Sequence, residues 1–86
     1  MDLELPLLGS LAACVPRAPT TQTIGLTIQQ YRSQAGMSQE ELAEKAELHP
    51  VYIGKIERGE QWISLHGLIR IAQTLGVRVS ELLQKL

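Results

Sequence analysis

From Ile24 onward the apolar positions recur with a helical period. Ile24, Ile28, Tyr31 and Ala35 are spaced by four, three and four, which lines them along one face of a helix. Gly36 follows as a C-terminal stop. Ser38, with Glu41 three residues later, reads as a capping box that opens a second helix, with Leu42, Ala43 and Ala46 as its buried positions. Pro50 suits the first turn of a third helix, where its missing N–H costs nothing. Ile53 and Ile56 form the inner face of that helix and Gly59 ends it. Ser64 caps a fourth, with Leu65, Leu68, Ile71, Ala72 and Leu75 inside and Gly76 as its stop. Ser80 opens a short fifth carrying Leu82, Leu83 and Leu86. Five short helices with tight connections predict an all-α, compact orthogonal bundle over residues 24–86.

Residues 1–23 lack this period. They hold Pro6, Pro16 and Pro19, and they end in the polar run Thr20 to Thr23. Such composition predicts an irregular N-terminal arm. Within it, Leu11-Ala12-Ala13-Cys14 resembles the lipobox of bacterial lipoproteins. However, the segment before it carries Asp2 and Glu4, has no basic residue and is broken by Pro6, unlike a signal peptide. Leu5 to Cys14 also looks like the cleavage region of self-cleaving SOS repressors, but in those proteins a protease domain follows that region. The arm reads as a flexible extension.

Composition narrows the class further. The chain has 86 residues, enough for one small domain. A domain of this size buries only about two-thirds of its unfolded surface, which argues against a large enzyme cleft. Aromatics are 3% and Phe is absent, so the core has to be built from Leu, Ile, Val and Ala. The net charge of −1 excludes a polybasic binder but not a focused basic patch. One cysteine allows no internal disulfide, and with two histidines it cannot complete a structural zinc site. No apolar run approaches the length of a membrane span. The expectation is a soluble, cytoplasmic protein without metal or cofactor. His49 and His66 are not at metal-ligand spacing, and the Ser, His and Asp residues are scattered, so no catalytic constellation is visible and an enzyme is not expected.

Gln39 to Arg58 holds a short helix, a tight turn and a second helix of similar length, the outline of a helix-turn-helix unit. Around it stand Arg32, Ala35-Gly36-Met37-Ser38-Gln39-Glu40-Glu41-Leu42-Ala43, Tyr52-Ile53, Ile56-Glu57-Arg58-Gly59, Ser64-Leu65, Leu68, Ile71-Ala72, Leu75-Gly76-Val77 and Leu82-Leu83. On these residues 24–83 resemble the Cro/phage-repressor (XRE-like) helix-turn-helix domains. The stretch Tyr52 to Glu60 with Ile63-Ser64-Leu65 looks especially like the small controller proteins of restriction–modification systems.

The resemblance implies a lambda-repressor-like DNA-binding domain whose third helix enters the major groove. With Ile53 and Ile56 inward, His49, Val51, Tyr52, Lys55 and Arg58 remain outside. Lys55 is the candidate for a guanine O6/N7 contact or a phosphate, and Val51 for a thymine methyl. His49 either caps the helix or meets a base. Tyr52 and Arg58 are candidate phosphate contacts, with Tyr52 alternatively packed on the domain. Gln39 matches a position whose side chain and backbone N–H hold a phosphate, a task suited to a helix N-terminus. Arg32 and Glu57 match a structural ion pair joining the first helix to the third.

Three features depart from the family pattern. Glu47 occupies the turn where Gly is common, at a cost on the order of 1 kcal/mol. Pro50 and Val51 replace polar base-reading residues. Residues 24–86 carry as many acidic as basic groups, so binding requires segregated charge, with Lys55, Arg58 and either Arg70 or Arg78 toward DNA.

One short helix reads few base pairs, so a homodimer on a palindromic operator is expected, with double-stranded DNA as partner. Trp62, Ile63, Val79, Leu83 and Leu86 are the interface candidates, Trp62 being either an anchor there or a lid on the core. The expected function is a sequence-specific transcriptional regulator, most simply a repressor. The alternative is a helix-turn-helix protein-interaction module, antitoxin-like or coactivator-like, with weak or no specific DNA binding.

Overall fold

The structure, a computed structural model, describes residues 19–86, which form five helices: α1 (Pro19–Gln34), α2 (Gln39–Ala46), α3 (Pro50–Glu57), α4 (Leu65–Leu75) and α5 (Val79–Leu83). The all-α architecture is the one expected. Ile24, Ile28, Leu42, Ala43, Ala46, Ile53, Ile56, Leu68, Ile71, Ala72 and Leu82 make one buried core. Around that core, α1 packs on α3 and α5, α2 packs on α3 and α4, and α4 meets α5. Among the described residues no helix is long and apolar enough to cross a membrane.

The local signals explain most boundaries. At α2, Ser38 Oγ accepts the Glu41 N–H at 3.0 Å while Glu41 Oε1 accepts the Ser38 N–H at 2.9 Å. Both halves of the capping box are therefore made. Pro50 takes the first position of α3, and Ser64 Oγ caps α4 through the Gly67 N–H at 3.0 Å. Gly59 closes α3 at φ +74°, a conformation that favours glycine.

Four expectations are corrected. First, α1 starts at Pro19, so residues 19–23 belong to the bundle and not to the arm. Pro19 fits a first helical turn. Thr21 is buried, and its hydroxyl donates to the Gly59 carbonyl at 3.1 Å. A buried threonine thus continues the stripe one turn upstream of Ile24. Residues 1–18, with the Cys14 and Leu5–Cys14 readings, lie outside the described residues. Second, Ala35 is exposed, because α1 ends at Gln34 and the chain is already turning. Third, Leu65 is 69% exposed. It shares the face of Leu68 and Ala72 but is the first residue of α4, at the very end of the helix. Fourth, α5 begins at Val79, not after Ser80. The Glu81 carboxylate accepts the Arg78 N–H at 2.7 Å and so fixes the start without a Ser cap. Leu86 falls beyond that helix and is exposed.

The crossing of α1 over α3 is unusually close. A Cβ at Gly25 would stand 2.2 Å from the Ile56 carbonyl oxygen and 2.7 Å from that of Glu57. Only a residue without a side chain allows the two backbones to touch here.

Candidate nucleic-acid interface

The candidate interface comprises the first turn of α2, the turn after it, and the outward face of α3. Glu57, at the end of α3, is 5% exposed. Its carboxylate takes two bonds from Arg32, Nε to Oε2 at 2.6 Å and Nη2 to Oε1 at 3.2 Å, and a third from Gln39 Nε2 to Oε1 at 2.8 Å. Arg32 also donates through Nη1 to the Met37 carbonyl at 2.7 Å. A buried charge is tolerable when it is paired and its remaining lone pairs are satisfied, and both conditions hold. One carboxylate thereby locks α1, the entry to α2 and the end of α3 together.

The same network engages Gln39. Its side chain, expected at a phosphate, is turned onto Glu57. The N–H groups of α2's first turn still have no intrahelical partner, and the capping box uses those of Ser38 and Glu41. The N–H groups of Gln39 and Glu40 are what this helix end offers to an anion.

In the turn, Glu47 takes φ 59°, ψ 43°, the left-handed conformation that favours glycine. Its N–H donates to the Glu44 carbonyl at 3.1 Å, and the Leu48 N–H donates to the Ala43 carbonyl at 2.8 Å. His49 then caps α3, its Nδ1 accepting the Val51 N–H at 3.1 Å. The residue is otherwise exposed.

On α3, Val51, Lys55 and Arg58 follow at spacings of four and three and all three are exposed. They form one row on the face opposite Ile53 and Ile56. Val51 is 57% exposed. Lys55 enters none of the ion pairs among the described residues. Arg58 pairs with Glu60, Nε to Oε2 at 3.2 Å, and half of its side chain is open to solvent. It lies back along the helix, its Nη1 3.1 Å from where a Cβ would stand on Gly54.

Tyr52 faces elsewhere. It is half-buried, its hydroxyl accepts the Ser64 N–H at 2.9 Å, and its ring edge lies against Gly67. Of the two expectations for this residue, the geometry gives the packed one: Tyr52 ties α3 to the start of α4. Arg70 is likewise engaged within the domain. Its Nε donates to the Ala46 carbonyl at 2.7 Å, and Nη2 pairs with the Glu47 carboxylate.

Trp62 is 53% exposed. Its side chain is open to solvent and is not a lid on the core. Ile63, Val79 and Leu83 pack partly against the core. Sequence reasoning missed Leu65 and Ile69, both exposed at the i, i+4 spacing on α4 just after Trp62. The signal was present for Ile69, which lies to one side of the row Leu68, Ile71 and Ala72, but not for Leu65, which shares the phase of Leu68 and Ala72. Among the described residues no group of His, Cys, Asp and Glu is arranged to hold a metal.

Comparison with known proteins agrees with this geometry. Residues 28–82, more than half of the chain, match the helix-turn-helix family model. The control protein C.BamHI of Bacillus amyloliquefaciens is 43% identical over 60 residues, covering 69% of this chain and 74% of that protein. The crystal structure of the restriction–modification controller protein C.AhdI from Aeromonas hydrophila superposes with a TM-score of 0.71 at 32% identity, over 72% of this chain and 94% of that one. The biofilm master regulator SinR, solved in complex with DNA, aligns with a TM-score of 0.68 at 43% identity, over 70% of this chain and 97% of that one. The chain belongs to the helix-turn-helix family of the Cro/phage-repressor type, a family of DNA-binding transcriptional regulators and not of enzymes.

Proposed function

We propose that the protein is a sequence-specific transcriptional regulator, in its simplest action a repressor, that binds a palindromic operator as a homodimer. The observation that carries this reading is the row Val51, Lys55 and Arg58 on α3, exposed beside the N–H groups that open α2. An aliphatic side chain and an uncommitted ammonium group one turn apart suit a thymine methyl and a guanine O6/N7 edge. Arg58 and the amides of Gln39 and Glu40 would hold phosphates on either side and fix the register. His49 caps α3 and presents its free edge to the same groove. Tyr52 and the Gln39 side chain support the reading face from behind. That SinR was solved with DNA, and that C.AhdI is a controller protein, supports the choice of double-stranded DNA as partner.

Pairing is required by reach, since one such helix spans few base pairs and half-sites one turn apart lie about 34 Å from each other. Trp62, Leu65 and Ile69 offer an apolar surface after the recognition helix. Ile63, Val79, Leu83 and Leu86 are the C-terminal interface candidates.

The test is selection from random duplex DNA across a salt series, with the protein and its Lys55→Ala variant. Enrichment of a palindrome, with its preference for guanine relaxed in the variant, supports the reading. A folded dimer that enriches nothing at low salt refutes it. That result would favour the protein-interaction alternative, to which the balanced charge of the domain and the exposed Trp62, Leu65 and Ile69 also belong.

A further inference from the structure

We propose that Arg70, on α4 and away from the reading face, is a positioning residue that clamps the α2–α3 turn and so sets the aim of the recognition helix. The connection between the two helices is only Glu47, Leu48 and His49. A rotation of the backbone at Glu47 therefore swings α3 as a unit. Glu47 is the one described residue other than glycine at positive φ, where an L side chain is strained. Something has to hold it there.

Arg70 holds the peptide before that strained position and the side chain at it. Its Nε donates to the carbonyl of Ala46, the residue before, at 2.7 Å, and its Nη2 pairs with the side chain of Glu47 itself. Ala46 O is among the last carbonyls of α2, which the helix cannot satisfy internally. The capping N–H groups of Glu47 and Leu48 go to Glu44 and Ala43 instead. A guanidinium at this end also meets the negative pole of the helix, and its fixed fork geometry lets one group make both contacts. The base of the clamp is firm, since Ile71 and Ala72 beside Arg70 are buried in the core. The position of α4 is thereby transmitted to the turn, and from the turn to Val51 and Lys55.

The alternative role is direct: Arg70 as one more basic group on DNA. The two roles differ in what they move. A clamp governs the match between α3 and a chosen sequence, whereas a phosphate contact supports every duplex equally and adds to the salt slope.

The test uses the full chain and its Arg70→Gln and Arg70→Lys variants. Amide hydrogen exchange is followed at Glu47 and Leu48 with Ile28 as the internal reference. Binding is measured on the duplex selected by the parent protein and on a scrambled duplex. The functional arm rests on the DNA-reading proposal above; the exchange arm does not. For Arg70→Gln, protection at Leu48 relative to Ile28 falls about tenfold, and the selected-to-scrambled affinity ratio falls by a similar factor at an unchanged salt slope. Arg70→Lys, which can make one of the two contacts, lies between. In a Glu47→Gly background, where the backbone is no longer strained, the effect of Arg70→Gln on the ratio shrinks. The clamp is overturned if Leu48 protection relative to Ile28 is unchanged. It is also overturned if both duplexes weaken equally with a shallower slope. Should the parent protein select no duplex, the DNA reading fails and the exchange result alone decides the clamp.

Discussion

Replacing Gly25 by alanine sets two well-understood effects against each other. Gly25 lies inside α1, and in an ordinary helix interior Gly→Ala stabilises by about 1 kcal/mol. Here the new methyl group would stand 2.2 Å from Ile56 O, 2.7 Å from Glu57 O and 2.9 Å from the Glu57 carbonyl carbon. All three are backbone atoms of α3's last turn, so no side-chain rotation relieves the contact. The helices must separate by roughly 1 Å to reach ordinary van der Waals distance. Overpacking of this kind costs about 1–3 kcal/mol and occasionally more. Separation also draws Glu57 away from Arg32, which adds to the loss. We expect a net destabilisation of about 1–3 kcal/mol, and a domain of this size loses about 4–8 °C in Tm for each kcal/mol. Thermal unfolding followed by circular dichroism reads this directly. Leu26→Ala, one residue on and 61% exposed, is the control and should stay within about 0.5 kcal/mol of the parent. A Gly25→Ala protein that melts at or above the parent temperature would refute the close-crossing argument, because helix propensity would then have won.

Further outcomes follow from the same geometry. Glu57→Ala strands the Arg32 guanidinium and should cost about 3–5 kcal/mol in chemical denaturation; a loss below 1 kcal/mol would mean that the network is not a unit. Tyr52→Phe removes the acceptor of the Ser64 N–H and should cost about 1 kcal/mol while leaving the salt slope of DNA binding unchanged. A reduced slope there would instead place the hydroxyl on a phosphate. Ile69→Glu, at an exposed position, should leave Tm nearly unaltered and shift sedimentation from dimer toward monomer. Unchanged sedimentation would take Ile69 out of the interface.

What the sequence made legible was whatever a single local rule controls. The Ser38–Glu41 box, Pro50 at a helix start and the apolar spacing through Ile53 and Ile56 each have one physical cause within a few residues. The Arg32–Glu57 pair was reached only through family resemblance, since nothing local says that residues 25 apart in sequence will meet. The start of α1 was hidden because its first inward residue is Thr21, a polar side chain buried by a hydrogen bond to Gly59, 38 residues away. Leu65 was assigned inward because it shares the phase of Leu68 and Ala72, yet as the first residue of α4 it is exposed. Gln39 was read as a phosphate contact, Tyr52 as either a phosphate contact or packed on the domain, and Arg70 as an alternative to Arg78 among the basic groups toward DNA. Each is held by a partner on another element, Glu57, Ser64 and Ala46–Glu47 respectively. Tertiary partners of long polar side chains are what a one-dimensional pattern carries least.

The central claim is that the exposed row of α3 reads base edges. Repeating the duplex selection with Val51→Gln and with Lys55→Gln tests it most directly, because a reading residue changes which sequence is chosen while a supporting one changes only how tightly. The account predicts that each variant shifts the consensus at one or two symmetry-related base pairs and leaves the remainder intact, Val51→Gln losing a preference for thymine and Lys55→Gln one for guanine. An identical consensus from parent and both variants, differing in affinity alone, would contradict it.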